Sequence, residues 1–120
     1  MFQYSAVVMR VVDGDTLRLN LDLGFKVHIE EIVRLARINA PETVEWSAKG
    51  LSDPARSYIE GATPPGAMVV ANVTKPDKFG RWLADILYLP GSSVREDIVQ
   101  NGRVLNDELV QKGFALPYGK

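Results

Sequence analysis

Eight residues constrain this chain more than any others. In Thr16-Leu17-Arg18-Leu19-Asn20-Leu21-Asp22-Leu23, polar and apolar side chains alternate without a break. A period of two belongs to a strand with one face on a core and the other in water. Before it, residues 6–12 are mostly apolar and β-branched and end at Asp13-Gly14. That dipeptide suits a tight turn, because Gly tolerates positive φ. After it, Leu23-Gly24 offers a second turn, and Phe25, Val27 and Ile29 alternate with Lys26, His28 and Glu30. Three sequential antiparallel strands follow from these turns. The phase breaks at Glu30-Glu31 before an apolar run over residues 32–38. One extra residue exchanges the faces of a strand, so a β-bulge is expected there.

Pro41 supplies no ladder donor, so Asn39-Ala40-Pro41 is expected to end the third strand. Residues 43–51 have no period and read as loop. Asp53-Pro54 has the form of an N-cap followed by Pro at the first helical position. The helix should run through Glu60 and stop at Gly61, with Pro64-Pro65-Gly66 blocking continuation. Residues 68–74 and 82–89 read as two more strands, joined by a polar connector over 75–81. Residues 92–105 allow two readings. Ser93-x-x-Glu96 has the form of a capping box, whereas Asn101-Gly102 between apolar pairs signals a hairpin. The hairpin is the favoured one. Asn106 can cap a last helix that ends at Gly113. Five principal strands with short helices predict an α+β class, a small β-barrel with helical cover. A five-stranded OB-fold is one such barrel, and strand pattern alone also allows an SH3-like one.

At 120 residues the chain is sized for one domain, 1–120. Its 46% hydrophobic and 24% charged residues exclude a disordered tail or a coiled coil. No apolar run approaches the ~18 residues of a membrane span, so no membrane role is expected. Without Cys, a disulfide framework and thiolate zinc are excluded. Fourteen Lys and Arg against fifteen Asp and Glu leave a net charge of -1, so a nucleic-acid role needs a local positive patch. The first residues lack a secretory pattern. An intracellular location is favoured, and secretion stays open if a leader is missing.

Three clusters carry chemistry. Asp13-Gly14-Asp15-Thr16 is either a plain polar turn or a place where Asp15 offers a hard oxygen to Ca²⁺ or Mg²⁺. In Arg34-Leu35-Ala36-Arg37-Ile38-Asn39-Ala40-Pro41-Glu42, an arginine lies within an apolar strand. It either snorkels, meets a carboxylate such as Glu30 or Glu31, or serves a ligand. Glu42 falls in a loop, where function concentrates. Asp77-Lys78-Phe79-Gly80-Arg81 sets an aromatic between two bases, a pattern able to hold phosphate and stack a nucleotide. As a polar hairpin loop it would also need no explanation. His28, the sole histidine, reads as a solvated strand position.

Taken in order, these pieces resemble the staphylococcal nuclease (thermonuclease, SNase-like) family. The matching residues are Val12-Asp13-Gly14-Asp15-Thr16, Val33-Arg34-Leu35 with Pro41-Glu42, Asp77-Lys78-Phe79-Gly80-Arg81 with Leu83-Ala84, and Leu105-Asn106-Asp107-Glu108-Leu109-Val110 with Gly113. They extend over residues 7–118. The resemblance implies an OB-fold barrel and Ca²⁺-dependent hydrolysis of DNA and RNA phosphodiesters. It implies Asp15 and the Ala40 carbonyl as metal ligands, Glu42 as general base, and Arg34 and Arg81 on the scissile phosphate. Lys78 and Phe79 would contact a terminal phosphate and the neighbouring nucleotide, and Tyr118 would offer a stacking surface.

Asn39 departs from the family pattern, which has a second acidic ligand there. Its amide oxygen can still ligate, without the charge, so a weaker site or another divalent metal is expected. A further departure is an extra segment between Tyr88 and Asn101. The expected partner is single-stranded DNA or RNA and the expected state a monomer. The alternative to an active nuclease is a catalytically weak module binding nucleic acid or protein.

Overall fold

The computed structural model describes residues 2–40, 54–76 and 80–118. Strand β1 (Phe2–Asp13) pairs antiparallel with β2 (Thr16–Asp22), and β2 with β3 (His28–Leu35). The alternation does what its period requires: Leu17, Leu19 and Leu21 are buried, while Arg18 and Asp22 are exposed. After β4 (Ile38–Asn39) come helix α1 (Pro54–Ala62), β5 (Met68–Pro76) and β6 (Trp82–Tyr88). Helix α2 (Arg95–Asn101), β7 (Arg103–Val104), α3 (Leu105–Gln111) and β8 (Leu116–Pro117) complete the order.

β1 also pairs with β5, and β5 with β6. Parallel pairing of β3 with β6 then closes a ring of five strands. The architecture is a closed OB-type barrel, with three helices among the described residues. Register shifts in β1 between Val8 and Arg10 and between Val11 and Asp13 let one long strand bend and serve both neighbours. The barrel interior holds Val8, Leu17, Leu19, Val33, Leu35, Val69, Ala71, Ala84 and Ile86, all buried. Ile59 of α1 and Leu105 and Leu109 of α3 extend the same core.

Four expectations need correction. The β2–β3 register runs unbroken from Thr16↔Arg34 to Asp22↔His28, so there is no bulge at Glu30-Glu31. The apolar phase breaks because Glu31 takes an inner-face position near the barrel's open end, next to Ile29. The third strand ends at Leu35, not at Asn39-Ala40-Pro41. A turn at Ala36-Arg37, with Arg37 at φ 67, precedes the short β4. Helix α1 continues through Gly61 to Ala62.

The fourth correction concerns residues 92–105, where α2 (Arg95–Asn101) and the two-residue β7 stand in place of a hairpin at Asn101-Gly102. Gly102 has φ -72, outside the positive region a two-residue type I′ turn demands, and its N–H donates to Ile98 O at 2.9 Å to close the helix. A Cβ at Gly102 would lie 2.2 Å from Ile98 O, so glycine is needed for backbone approach. The capping box is not formed either. Val94 occupies the cap without a side-chain bond, and Ser92 Oγ accepts from Val94 N at 3.2 Å. The extra segment after Tyr88 is thus a turn leading into α2, which Arg95 ties to β1 through Gln3 O at 3.1 Å. The expected loop over 43–51 and the Asp53 cap lie outside the described residues.

Candidate functional site

The site grows from the turn between β1 and β2. Asp13 Oδ1 accepts from Asp15 N at 3.1 Å, an Asx turn that sets the chain into β2. Leu35 N donates to Asp15 O at 2.8 Å, tying this turn to the end of β3. The Asp15 carboxylate accepts from Thr16 Oγ1 at 3.0 Å and from Ala40 N at 3.4 Å. Burial, helped by the neighbouring Asp13, pushes the Asp15 carboxyl above its usual value; the Thr16 hydroxyl and Ala40 N–H pull the other way. Desolvation wins.

Arg34 reaches the same place from β3. Its Nη2 lies 3.6 Å from Asp15 Oδ2 and donates to Asn39 Oδ1 at 3.3 Å and Ile38 O at 3.4 Å. The ring of Tyr118 lies 5.6 Å from the guanidinium, within cation–π range. Arg34 therefore meets Asp15, not the Glu30 or Glu31 considered from sequence; Glu30 pairs with Arg18 at 3.1 Å. Asp15, Arg34, Asn39, Ala40 and Tyr118 thus come together. Arg81 precedes Trp82 at the start of β6, the strand that pairs with β3 at Val33↔Trp82 and Arg34↔Leu83. Glu42, Lys78 and Phe79 lie outside the described residues. His28 is exposed, in keeping with a solvated strand position.

Two residues that position this site were missed. Asn106 does not cap α3, whose cap is Val104. Its side chain is buried, accepts from Ile86 N at 3.0 Å, and donates to Ala36 O at 2.9 Å and Ala84 O at 3.0 Å. Arg37, in the left-handed turn before β4, binds Asp85 of β6 at 2.7 Å and Asp107 of α3 at 3.0 Å. In the sequence Asn106 reads only as a helix cap and as part of the family-like run over 105–110, and Arg37 only as a second base in the cluster over 34–42; neither signal names these partners. On the other side of β4, Asn39 pairs with Leu116 and Ile38 with Pro117. The strand that carries Asn39 is held from both sides.

Asp15 carboxylate, Asn39 amide and Ala40 carbonyl are hard oxygen donors, which suit Ca²⁺ or Mg²⁺. Only one of them is charged. No group of three or more His, Cys, Asp or Glu able to hold a metal occurs among the described residues. The donor set fits a hard divalent cation bound with few protein charges.

Fold and site together define a small OB-type barrel with a carboxylate, an arginine and an amide gathered where β2, β3 and β4 meet. A model of the family described as staphylococcal nuclease homologue matches residues 32–120, and the chain belongs to that family. Endonuclease YhcR of Bacillus subtilis (strain 168) is 28% identical over 109 residues, covering 83% of this chain. The match takes in 9% of that relative's length.

Proposed function

We propose that the chain is a metal-dependent nuclease, hydrolysing phosphodiester bonds of single-stranded DNA or RNA. The convergence of Arg34 with Asp15 at 3.6 Å and Asn39 at 3.3 Å carries the reading. Membership of the nuclease family and similarity to a protein named an endonuclease support it.

Asp15, the Asn39 amide and the Ala40 carbonyl would hold the cation, calcium first. When bound, such an ion neutralises phosphate charge and orients water. Arg34 and Arg81 donate planar N–H forks to phosphate oxygens as negative charge grows on them. For Arg34 this exchanges two long bonds, to Asn39 at 3.3 Å and Ile38 at 3.4 Å, for charge-assisted ones. Tyr118 limits the swing of the guanidinium while it does so. Glu42 takes the proton of the water as it bonds to phosphorus, and the bond from phosphorus to the 5′ oxygen breaks; that oxygen takes up a proton from solvent, leaving a 5′-hydroxyl and a 3′-phosphate. Lys78 and Phe79 hold a terminal phosphate and its nucleotide.

A second reading, a binding module with little turnover, is favoured by Asn39, which leaves Asp15 as the one charged ligand of the set. A cleavage assay on single-stranded oligonucleotides, titrated with Ca²⁺ and Mg²⁺, separates the two. Expected are cleavage that chelator abolishes and a loss of about 3–4 kcal/mol of transition-state stabilisation in Arg81→Ala. Glu42→Gln should be similarly slow. Oligonucleotide binding without cleavage in any divalent metal would replace the nuclease with the binding module.

A further inference from the structure

A second concavity opens at the end of the barrel, on the inner faces of the strands. It has a volume of about 290 Å³ and is lined by Phe2, Tyr4, Leu21, Ile29, Glu31 and Trp82, among others. Ligand pockets start near ~300 Å³, so there is room for one small planar group. Phe2 and Tyr4 stack at 6.4 Å between centroids. Phe2 is 65% exposed and Trp82 39%, which leaves aromatic surface available at the mouth. The single acid is Glu31, which makes no ion pair among the described residues. Unpaired carboxylates are rare on apolar inner faces, because solvation is lost there without compensation.

The position of this pocket matters as much as its lining. Trp82 directly follows Arg81 and stands opposite Val33 in the parallel β3–β6 pairing. Glu31 is three positions before Arg34 on β3, about 10 Å along a strand. Arg34 lies on the outer face of β3 and Glu31 on the inner, so the link between the arginines and the pocket runs through the start of β6, where Arg81 adjoins Trp82. We infer that the pocket binds one nucleobase of the substrate strand, and that Glu31 selects guanine; the inference rests on the nuclease reading.

The selection follows from donor patterns. A carboxylate only accepts hydrogen bonds, with two oxygens side by side. The Watson–Crick edge of guanine presents two adjacent N–H groups that match them. Adenine and cytosine present one amino group beside a ring acceptor, which would face the second oxygen. Uracil and thymine present carbonyls on both sides of one N–H. Single-stranded bases are read in this way, stacked on aromatics and bonded on that edge. Trp82, with Phe2 and Tyr4, supplies the sequence-tolerant stacking.

The experiment titrates guanosine and uridine 5′-monophosphates, without metal, against protein followed by two-dimensional NMR. Guanosine monophosphate should shift the amides of Leu21, Ile29 and Glu31 and the Trp82 indole, binding at least fivefold tighter than the uridine compound. Glu31→Gln should bring the two affinities within twofold of each other. Trp82→Ala should weaken both by about tenfold, as loss of a stacking aromatic does. Folding of each variant is read from its own spectrum. Shifts confined to residues around Arg34 and Tyr118, or equal affinities that Glu31→Gln leaves alone, would overturn the inference. In the cleavage assay, cutting with no preference for bonds beside guanine would overturn it while leaving the nuclease standing. Guanine-selective shifts with no cleavage in any divalent metal would instead sink the nuclease and keep the pocket.

Discussion

Arg37 grips one oxygen of Asp85 with two nitrogens, Nη2 at 2.7 Å and Nε at 3.2 Å. The contact joins the turn after β3 to the outer face of β6. Arg37 achieves it from a backbone at φ 67, where a non-glycine residue is strained by about 1–2 kcal/mol. The pairs with Asp85 and Asp107 are partly exposed, so each offsets that strain by ~1 kcal/mol at most. Arg37→Gly should therefore be nearly neutral, since strain and ion pairs are lost together. Arg37→Ala keeps the strain, loses the pairs, and should be less stable than the glycine variant. Urea unfolding of the three proteins checks this ordering, which reverses the usual preference for Ala over Gly.

Asn106→Ala should destabilise strongly, by about 3 kcal/mol or more. The substitution removes the acceptor for Ile86 N–H and a donor for Ala36 O, both in buried surroundings. Ala84 O suffers less, because Ala36 N still donates to it at 2.9 Å. Chemical denaturation measures the loss. A cost below 1 kcal/mol would mean that water replaces the amide.

Asp15→Asn should separate stability from metal binding. The Asp15 carboxyl is raised from its ordinary 3.8 chiefly by burial, so the native state keeps a proton that the unfolded chain releases. Stability contributed by that proton is present below the ordinary value and lost as pH rises through the raised one. The asparagine variant escapes the loss. Unfolding in chelator at a series of pH values should show the variant gaining on the parent as pH rises, then a constant gap. Calorimetry at neutral pH should show calcium binding abolished.

Asn39→Asp should tighten calcium binding, since affinity rises with ligand charge. The rate need not follow. The new carboxylate would also hold Arg34, whose Nη2 already sits 3.3 Å from the Asn39 oxygen, and so compete with the substrate phosphate. Calcium titrations of both proteins, with and without nucleotide, measure the shift. Equal affinities in both conditions would remove Asn39 from the metal shell.

The barrel was legible because its strands declare themselves by a local property, side-chain alternation, and its turns by Gly. The hairpin expected at Asn101-Gly102 failed for a nonlocal reason. Burial of Ile98 and the tight approach of Gly102 to Ile98 O and Tyr88 O favour the helix, and neither is visible in the dipeptide. Glu31 misled in the same way: an acid inside a strand suggests a change of face until the open end of the barrel is known. Asp15 and Arg34 stood out by residue type, and Asn39 through the family resemblance alone. Their mutual contacts could not be seen, because the Ala36-Arg37 turn that folds β4 back is fixed by Asp85, Asn106 and Asp107, far away in the chain.

The parallel β3–β6 pairing has a consequence for folding. Arg34 comes alongside Leu83, and hence near Arg81, only through contacts that close a loop of nearly fifty residues. Such long-range pairing forms against a substantial entropy of closure and slows folding relative to local structure. A chain that has formed the β1–β2–β3 meander but not this pairing holds Asp15 and Arg34 without their companion across the barrel. Regain of phosphate binding during refolding would thus time ring closure itself, and should lag behind the appearance of strand signal in circular dichroism.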